Sequence, residues 1–153
     1  SQFELGRSQA SVSTLFAIAT ALNLSIDELL GNRVTGPPDA DVDPVEEPEG
    51  HLDEFLTFQT GVRWRRLTRR REAGIDFLLT EYEPGADSAA DDQPQRHPGT
   101  DYGYVLEGTL TVVVDGRRRR VGKDQAISLR GEVPHRLINE TDQLVRAIWF
   151  VSR

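Results

Sequence analysis

Apolar residues recur along this chain with two different periods, and the change from one to the other divides it. From Ser11 to Leu22 the positions Val12, Leu15, Phe16, Ala19 and Leu22 keep the three-to-four spacing of an amphipathic helix, with Ser11 placed to cap its first turn. Asn23 can supply a left-handed stop, and Ser25 to Leu30 predicts a second short helix that ends at Gly31. Two such helices cannot close a core by themselves. Phe16, Leu22, Leu24, Leu29 and Leu30 therefore need a partner surface, expected from residues upstream of Ser1 or from a second subunit.

From His51 onward the period shortens to two. Strand-like runs fall at 62–67, 75–82, 104–114, 126–129, 136–138 and 144–151, separated by turn residues, which predicts a mainly β sandwich or barrel. Val112, Val113 and Val114 run into Asp115-Gly116 and then into a second strand-like run to Val121. That pattern predicts a two-residue type I′ hairpin. Between the two regions, residues 33–50 hold four prolines, six acids and almost no large apolar side chain, the composition of a flexible linker. The expected division is thus a helical piece at 1–32, a linker at 33–50 and a β domain at 51–153.

Charge sharpens this division. Of the net −7, the linker carries −5 and residues 1–32 carry −2, so the β domain is neutral overall. The arginine clusters at 69–71 and 117–120 are expected to guard turns and edge strands against pairing rather than to grip nucleic acid. The chain has no cysteine, which excludes disulfides and thiolate metal sites and suits a reducing cytoplasm. No apolar run approaches the length of a membrane span. The start, Ser1-Gln2-Phe3-Glu4, has neither an initiator Met nor the features of a signal peptide, and reads as the interior of a longer chain.

Two stretches resemble known families. His97-Pro98-Gly99-Thr100-Asp101-Tyr102-Gly103-Tyr104-Val105-Leu106-Glu107-Gly108 resembles the first cupin motif, and Gly122-Lys123-Asp124, Pro134-His135 and Asn139 resemble the second. Ser1, Glu4, Gly6 and Arg7, followed by Ser11-Val12, Leu15, Ile18-Ala19, Ala21-Leu22 and Asp27 to Leu30, resemble the last part of a phage-repressor-type (XRE family) helix-turn-helix domain. Together they look like a bacterial transcriptional regulator with a C-terminal cupin sensor. The resemblance implies a small double-stranded β-helix, or jelly-roll, barrel preceded by a two-helix remnant of a DNA-binding domain. It further implies a small-molecule effector, operator DNA reached through the complete helix-turn-helix, a homodimer, and no catalysis by this chain. The alternative is a metal-dependent cupin enzyme of dioxygenase or isomerase type.

Carried over residue by residue, the cupin ligand positions fall on Gln95, His97, Asp101 and His135. Gln95 puts a neutral amide where the family has a histidine, and Asp101 is one methylene shorter than the usual glutamate. His97, Asp101 and His135 would still make a three-ligand site for a divalent transition metal, or else bond to one another in a metal-free pocket. Because side chains alternate along a strand, His135, Leu137 and Asn139 share a face that can point inward. Trp64 and Tyr104 are expected among the pocket walls, with Tyr82, Tyr102 and Trp149 as further aromatic candidates. Of Arg63, Arg65 and Arg66, mainly a solvated strand face is expected, with one arginine able to reach an anionic ligand. In the N-terminal piece Gln2, Arg7, Ser8 and Gln9 are the expected phosphate contacts.

Overall fold

The computed structural model describes residues 7–8, 11–24, 26–29, 45, 55–68, 74–89 and 92–153. In chain order these form β1 (Arg7–Ser8), α1 (Val12–Ala21), α2 (Ile26–Leu29), β2 (Leu56–Phe58), β3 (Val62–Arg66) and β4 (Ile75–Tyr82). There follow β5 (Thr100–Glu107), β6 (Thr109–Val114), β7 (Arg117–Gly122), β8 (Ala126–Arg130), β9 (His135–Ile138) and β10 (Val145–Ser152). Seven strands make one sheet in the order β1-β2-β3-β4-β10-β5-β8, and three make a second in the order β7-β6-β9. All described pairings are antiparallel except that of β1 with β2.

Alternation along the strands builds the core between the sheets. β10 buries Val145, Ala147, Trp149 and Val151 and turns Arg146, Ile148, Phe150 and Ser152 outward. Leu110, Val112, Val121 and Leu137 of the small sheet meet Val62, Trp64, Leu78, Tyr82 and Val105 of the large one in a single buried cluster. The β6–β7 turn has the backbone the sequence asks for: Asp115 and Gly116 both take positive φ, +48° and +74°, as a type I′ turn requires. The run expected at 104–114 is instead two strands. Gly108, at φ +79°, bends the chain from β5 in the large sheet into β6 in the small one, and β5 begins four residues earlier, at Thr100. The short strands β1 and β2 carry no periodic signal and were not expected.

The helices conform to the sequence locally and depart from it globally. Ser11 caps α1 by accepting from the Thr14 amide at 3.2 Å, and Asn23 takes the left-handed conformation, φ +54°, just past its end. α1 nevertheless does not wait for another domain. Val12, Leu15, Phe16 and Ala19, with Ile26 of α2, belong to the same buried cluster as the barrel strands. The Ser13 amide donates to the Ser88 carbonyl at 2.9 Å. The two helices expected here are present as α1 and α2, and α1 shares the core of the barrel. Their apolar face is covered by the barrel, which was close at hand. Arg7 and Ser8, two of the residues expected at DNA phosphates, lie in a strand paired with Thr57 and Phe58. Gln2, Gln9, Ser25, Gly31, Arg69 to Arg71 and the linker, apart from Val45, lie outside the described residues.

Arg117 to Arg120 occupy β7, an edge of the small sheet, and all four are exposed, as an edge guarded by charge would be. Arg63 pairs with Glu81 at 2.6 Å, while Arg66 is buried against Asp76 at 3.2 Å. None of Arg63, Arg65 and Arg66 lines the cavity described below. Alternation puts Arg66 on the inward face, but at the strand end, where Asp76 takes it up. No helix among the described residues is long and apolar enough to cross a membrane.

Candidate ligand pocket and metal centre

β5 and β9 deliver the polar centre of the barrel. Asp101 sits on the second residue of β5 and points inward, His135 opens β9, and His97 lies in the segment that leads into β5. Gln95 is fastened across from His135 by a pair of backbone bonds, its amide donating at 2.8 Å and its carbonyl accepting at 3.1 Å. His97 is held similarly, its amide donating to the Gly131 carbonyl at 2.9 Å. Gly131 is needed there, because a Cβ would stand 2.5 Å from both Nδ1 and the carbonyl oxygen of His97. All four side-chain-bearing residues, Gln95, His97, Asp101 and His135, are at most 3% exposed.

The hydrogen-bond geometry sets the imidazoles' protons. His97 Nδ1 faces the Pro98 carbonyl at 3.0 Å and His135 Nδ1 faces the Val133 carbonyl at 2.8 Å. A carbonyl only accepts, so each Nδ1 carries hydrogen and donates. In the neutral rings the lone pairs then belong to the two Nε2 atoms. Those atoms converge on one oxygen: His97 Nε2 lies 3.0 Å and His135 Nε2 3.2 Å from Asp101 Oδ2, the latter off the line of a hydrogen bond. Burial pushes the Asp101 carboxyl up, and the two imidazole edges facing it outweigh that, so its pKa lies below the ordinary carboxylate value. Three acceptors brought this close need a positive charge between them, either an imidazolium proton or a cation.

A divalent metal fits that requirement. Donors about 2.1 Å from an ion are about 3.0 Å apart in octahedral and about 3.4 Å apart in tetrahedral geometry, and the observed Nε2–Oδ2 separations sit in that range. Backbone carbonyls on both Nδ1 atoms hold the rings in the orientation that metal-ligating histidines usually have. His97, Asp101 and His135 would be the ligands.

Beside this centre is a small cavity, open at one end, with about 30 Å³ of room for water. Gln95, Asp101 and Trp64 line it, joined by Tyr82 and Trp149 from the remaining aromatic candidates. Gln95 Oε1 and Asp101 Oδ1 are buried there without a hydrogen-bond partner. Tyr82 is buried, accepts from Trp149 Nε1 at 3.1 Å, and burial pushes its phenol up to about 12. Tyr104 is not a wall of the pocket. With Asp101 inward, Gly103 and Val105 also face in and Tyr104 faces out, 41% exposed, donating to Asp124 at 3.1 Å. Tyr102 is outward for the same reason.

Sequence reasoning missed the wall contributed by α1. Val12 and Phe16 line the cavity, and the Phe16 ring stacks on His97 with centroids 4.5 Å apart. Phe16 also meets Trp64 edge-on at 6.0 Å. The signal was present, an amphipathic helix in want of a partner, but nothing in its period says which surface it covers. Ser88 is a further unexpected lining residue, its hydroxyl accepting from the Leu137 amide at 2.9 Å.

Two sheets thus enclose an inward His/Asp/His set. Residues 78–151 match the family profile described as "Cupin domain". Among solved structures it is similar to the cupin domain of an XRE family transcriptional regulator from Enterobacter cloacae. There the identity is 21%, 61% of this chain and 97% of that chain are covered, and the TM-score is 0.53. It is also similar to KdgF from Halomonas sp., at 17% identity over 66% of this chain and 87% of that one, TM-score 0.54. A third similarity is to the polyketide cyclase RemF from Streptomyces resistomycificus, at 23% identity over 60% and 65%, TM-score 0.51. Regulator and enzymes share the fold, so likeness alone does not choose between them. No curated protein matches the chain.

Proposed function

We propose that the chain is the effector-sensing part of a ligand-responsive, DNA-binding transcriptional regulator. The observation that carries this reading is the seat of α1. Val12 and Phe16 line the cavity and Phe16 lies on His97, so an occupant of the barrel meets an element from outside the barrel's own strands. A ligand that fits one seat of α1 better than another shifts the balance between them by its difference in affinity. Residues 1–30, α1 among them, are those that resemble the last part of a helix-turn-helix domain, so the shift is felt where the rest of such a domain would be attached.

The cavity offers little for catalysis. Besides Asp101 its polar members are Thr80, Tyr82, Ser88 and Gln95, and with Tyr82 protonated up to about pH 12 none of these four exchanges a proton near neutrality. In this reading the partners are operator DNA, a small-molecule effector and a second copy of the chain, and the protein works in the cytoplasm. The purified gene product, with any upstream coding sequence included, should retard its own promoter DNA, and a molecule that fills the cavity should change that retardation. Failure to retard at micromolar protein would sink the reading.

One observation favours a second reading, a metal-dependent cupin enzyme: the converged lone pairs of His97 and His135 on Asp101. A metal held there would supply Lewis acidity or an activated water. Elemental analysis of protein prepared without chelator or nickel column checks the premise. About one equivalent supports the metal site, and less than about a tenth removes it.

A further inference from the structure

The cavity beside the polar centre is too small for one aromatic ring. Its room of about 30 Å³ is roughly one water's share of the liquid, whereas a hole that takes up benzene measures about 150 Å³. The chain itself fills the space next to it. The Phe16 ring lies on His97, 4.5 Å away and 26° from parallel, and stands edge-on to Trp64 at 6.0 Å and 81°. Leu78, Trp149 and Val151 continue the same wall. Aromatic pairs favour stacked and edge-on contacts of this kind, so the place that Phe16 holds suits a planar ring. Apart from this side-chain packing, one main-chain hydrogen bond among the described residues joins α1 to the barrel, from the Ser13 amide to the Ser88 carbonyl.

What a phenylalanine ring cannot do is hydrogen-bond. Asp101 Oδ1 and Gln95 Oε1 are buried in the cavity wall without a partner, and a buried acceptor left unpaired is costly. The ring N–H groups nearby are already committed: those on Nδ1 of His97 and His135 go to the Pro98 and Val133 carbonyls, and that of Trp149 goes to Tyr82. A carboxylate or phosphate on an occupant would add a second negative charge beside Asp101, and no lysine or arginine is among the cavity's described lining residues. We propose that the effector is a small planar ring that carries an O–H or N–H donor and no negative charge, and that it binds by taking the seat of Phe16. The ring replaces Phe16 on His97 and against Trp64, and its donor serves the acceptors that Phe16 leaves unpaired. This rests on the sensor reading above and names the class of molecule sensed.

Phenol, toluene and benzoate, single rings that differ in one substituent, test it by NMR titration of the chain as it stands. Phenol should bind at millimolar concentration, toluene about tenfold more weakly for want of the hydrogen bond, and benzoate not at all. Bound phenol should also speed hydrogen exchange at the Leu15 and Leu22 amides, which close turns of α1, and leave β10 unchanged. Phe16→Ala should tighten phenol at least about tenfold and keep the order of phenol over toluene, an order that a bare apolar hole would reverse. Four results would each overturn the proposal: phenol bound by neither protein, toluene bound as well as phenol, benzoate bound more tightly than phenol, or phenol bound with exchange in α1 unchanged. The sensor reading fails separately, by loss of promoter retardation, whether or not the ring binds.

Discussion

Replacing Phe16 with alanine separates the barrel from its lid. Phe16 is 3% exposed, stacked on His97 and edge-on to Trp64. Removing a buried phenylalanine ring costs about 3–5 kcal/mol where the site cannot collapse. That loss should fall on α1 rather than on the whole fold. α1 has ten residues, too few to persist alone in water, whereas the barrel ladders run between strands and pass no hydrogen bond through it. At about 1.4 kcal/mol per factor of ten, opening of α1 should become about a hundredfold to a few thousandfold more frequent. Amide hydrogen exchange reads this directly: the Leu15 and Leu22 amides, bonded to Ser11 and Ile18, should lose protection by such a factor while β10 amides keep theirs. A companion readout is carbethoxylation of His97, which should quicken once its ring is uncovered. If α1 exchanges no faster in a folded variant, or if α1 and β10 lose protection together, Phe16 does not hold the lid as described.

Three further outcomes follow from the site. Asp101 has its folded pKa below the ordinary value, so it contributes stability above the ordinary carboxylate range, and this is lost as pH falls through the lowered value; Asp101→Asn should flatten the acid limb of a plot of Tm against pH. Tyr82 is the opposite case: its folded pKa of about 12 exceeds the ordinary 10.0, so its contribution of about 3 kcal/mol is complete below pH 10 and lost as pH rises toward 12. Urea midpoints should fall over that interval in wild type and less in Tyr82→Phe. Gly131→Ala drives a methyl into His97, and should lower cobalt affinity about tenfold or more in a titration followed by visible absorption; unchanged binding would show that His97 tolerates displacement.

The barrel was legible because strand alternation is strict in β10 and β3 and because Asp115-Gly116 admits one kind of turn. The polar centre was legible through motif spacing, which brought Gln95, His97, Asp101 and His135 to adjacent positions. Tyr104 could have been placed correctly by counting from Asp101: three residues along a strand reverse the face. The run from 104 to 114 was misread because strand-forming residues stand on both sides of Gly108 and the bend there is a single residue, too short to look like a loop. α1 was misread for a deeper reason. Periodicity reports that Val12, Leu15, Phe16 and Ala19 share a face, but docking is a property of two surfaces, and the second was still unbuilt when the helix was read.

That helix is also tied to the strand it shields. Twenty-six residues separate Leu29 of α2 from Leu56 of β2. Docked on the same chain, α1 is a permanent intramolecular rival of any molecule that would take the place of Phe16 against His97 and Trp64, so the apparent affinity of an occupant is set partly by how well α1 seats itself. Sensitivity to the occupant is in this sense written in a helix that competes for the site and not only in the atoms that touch the occupant.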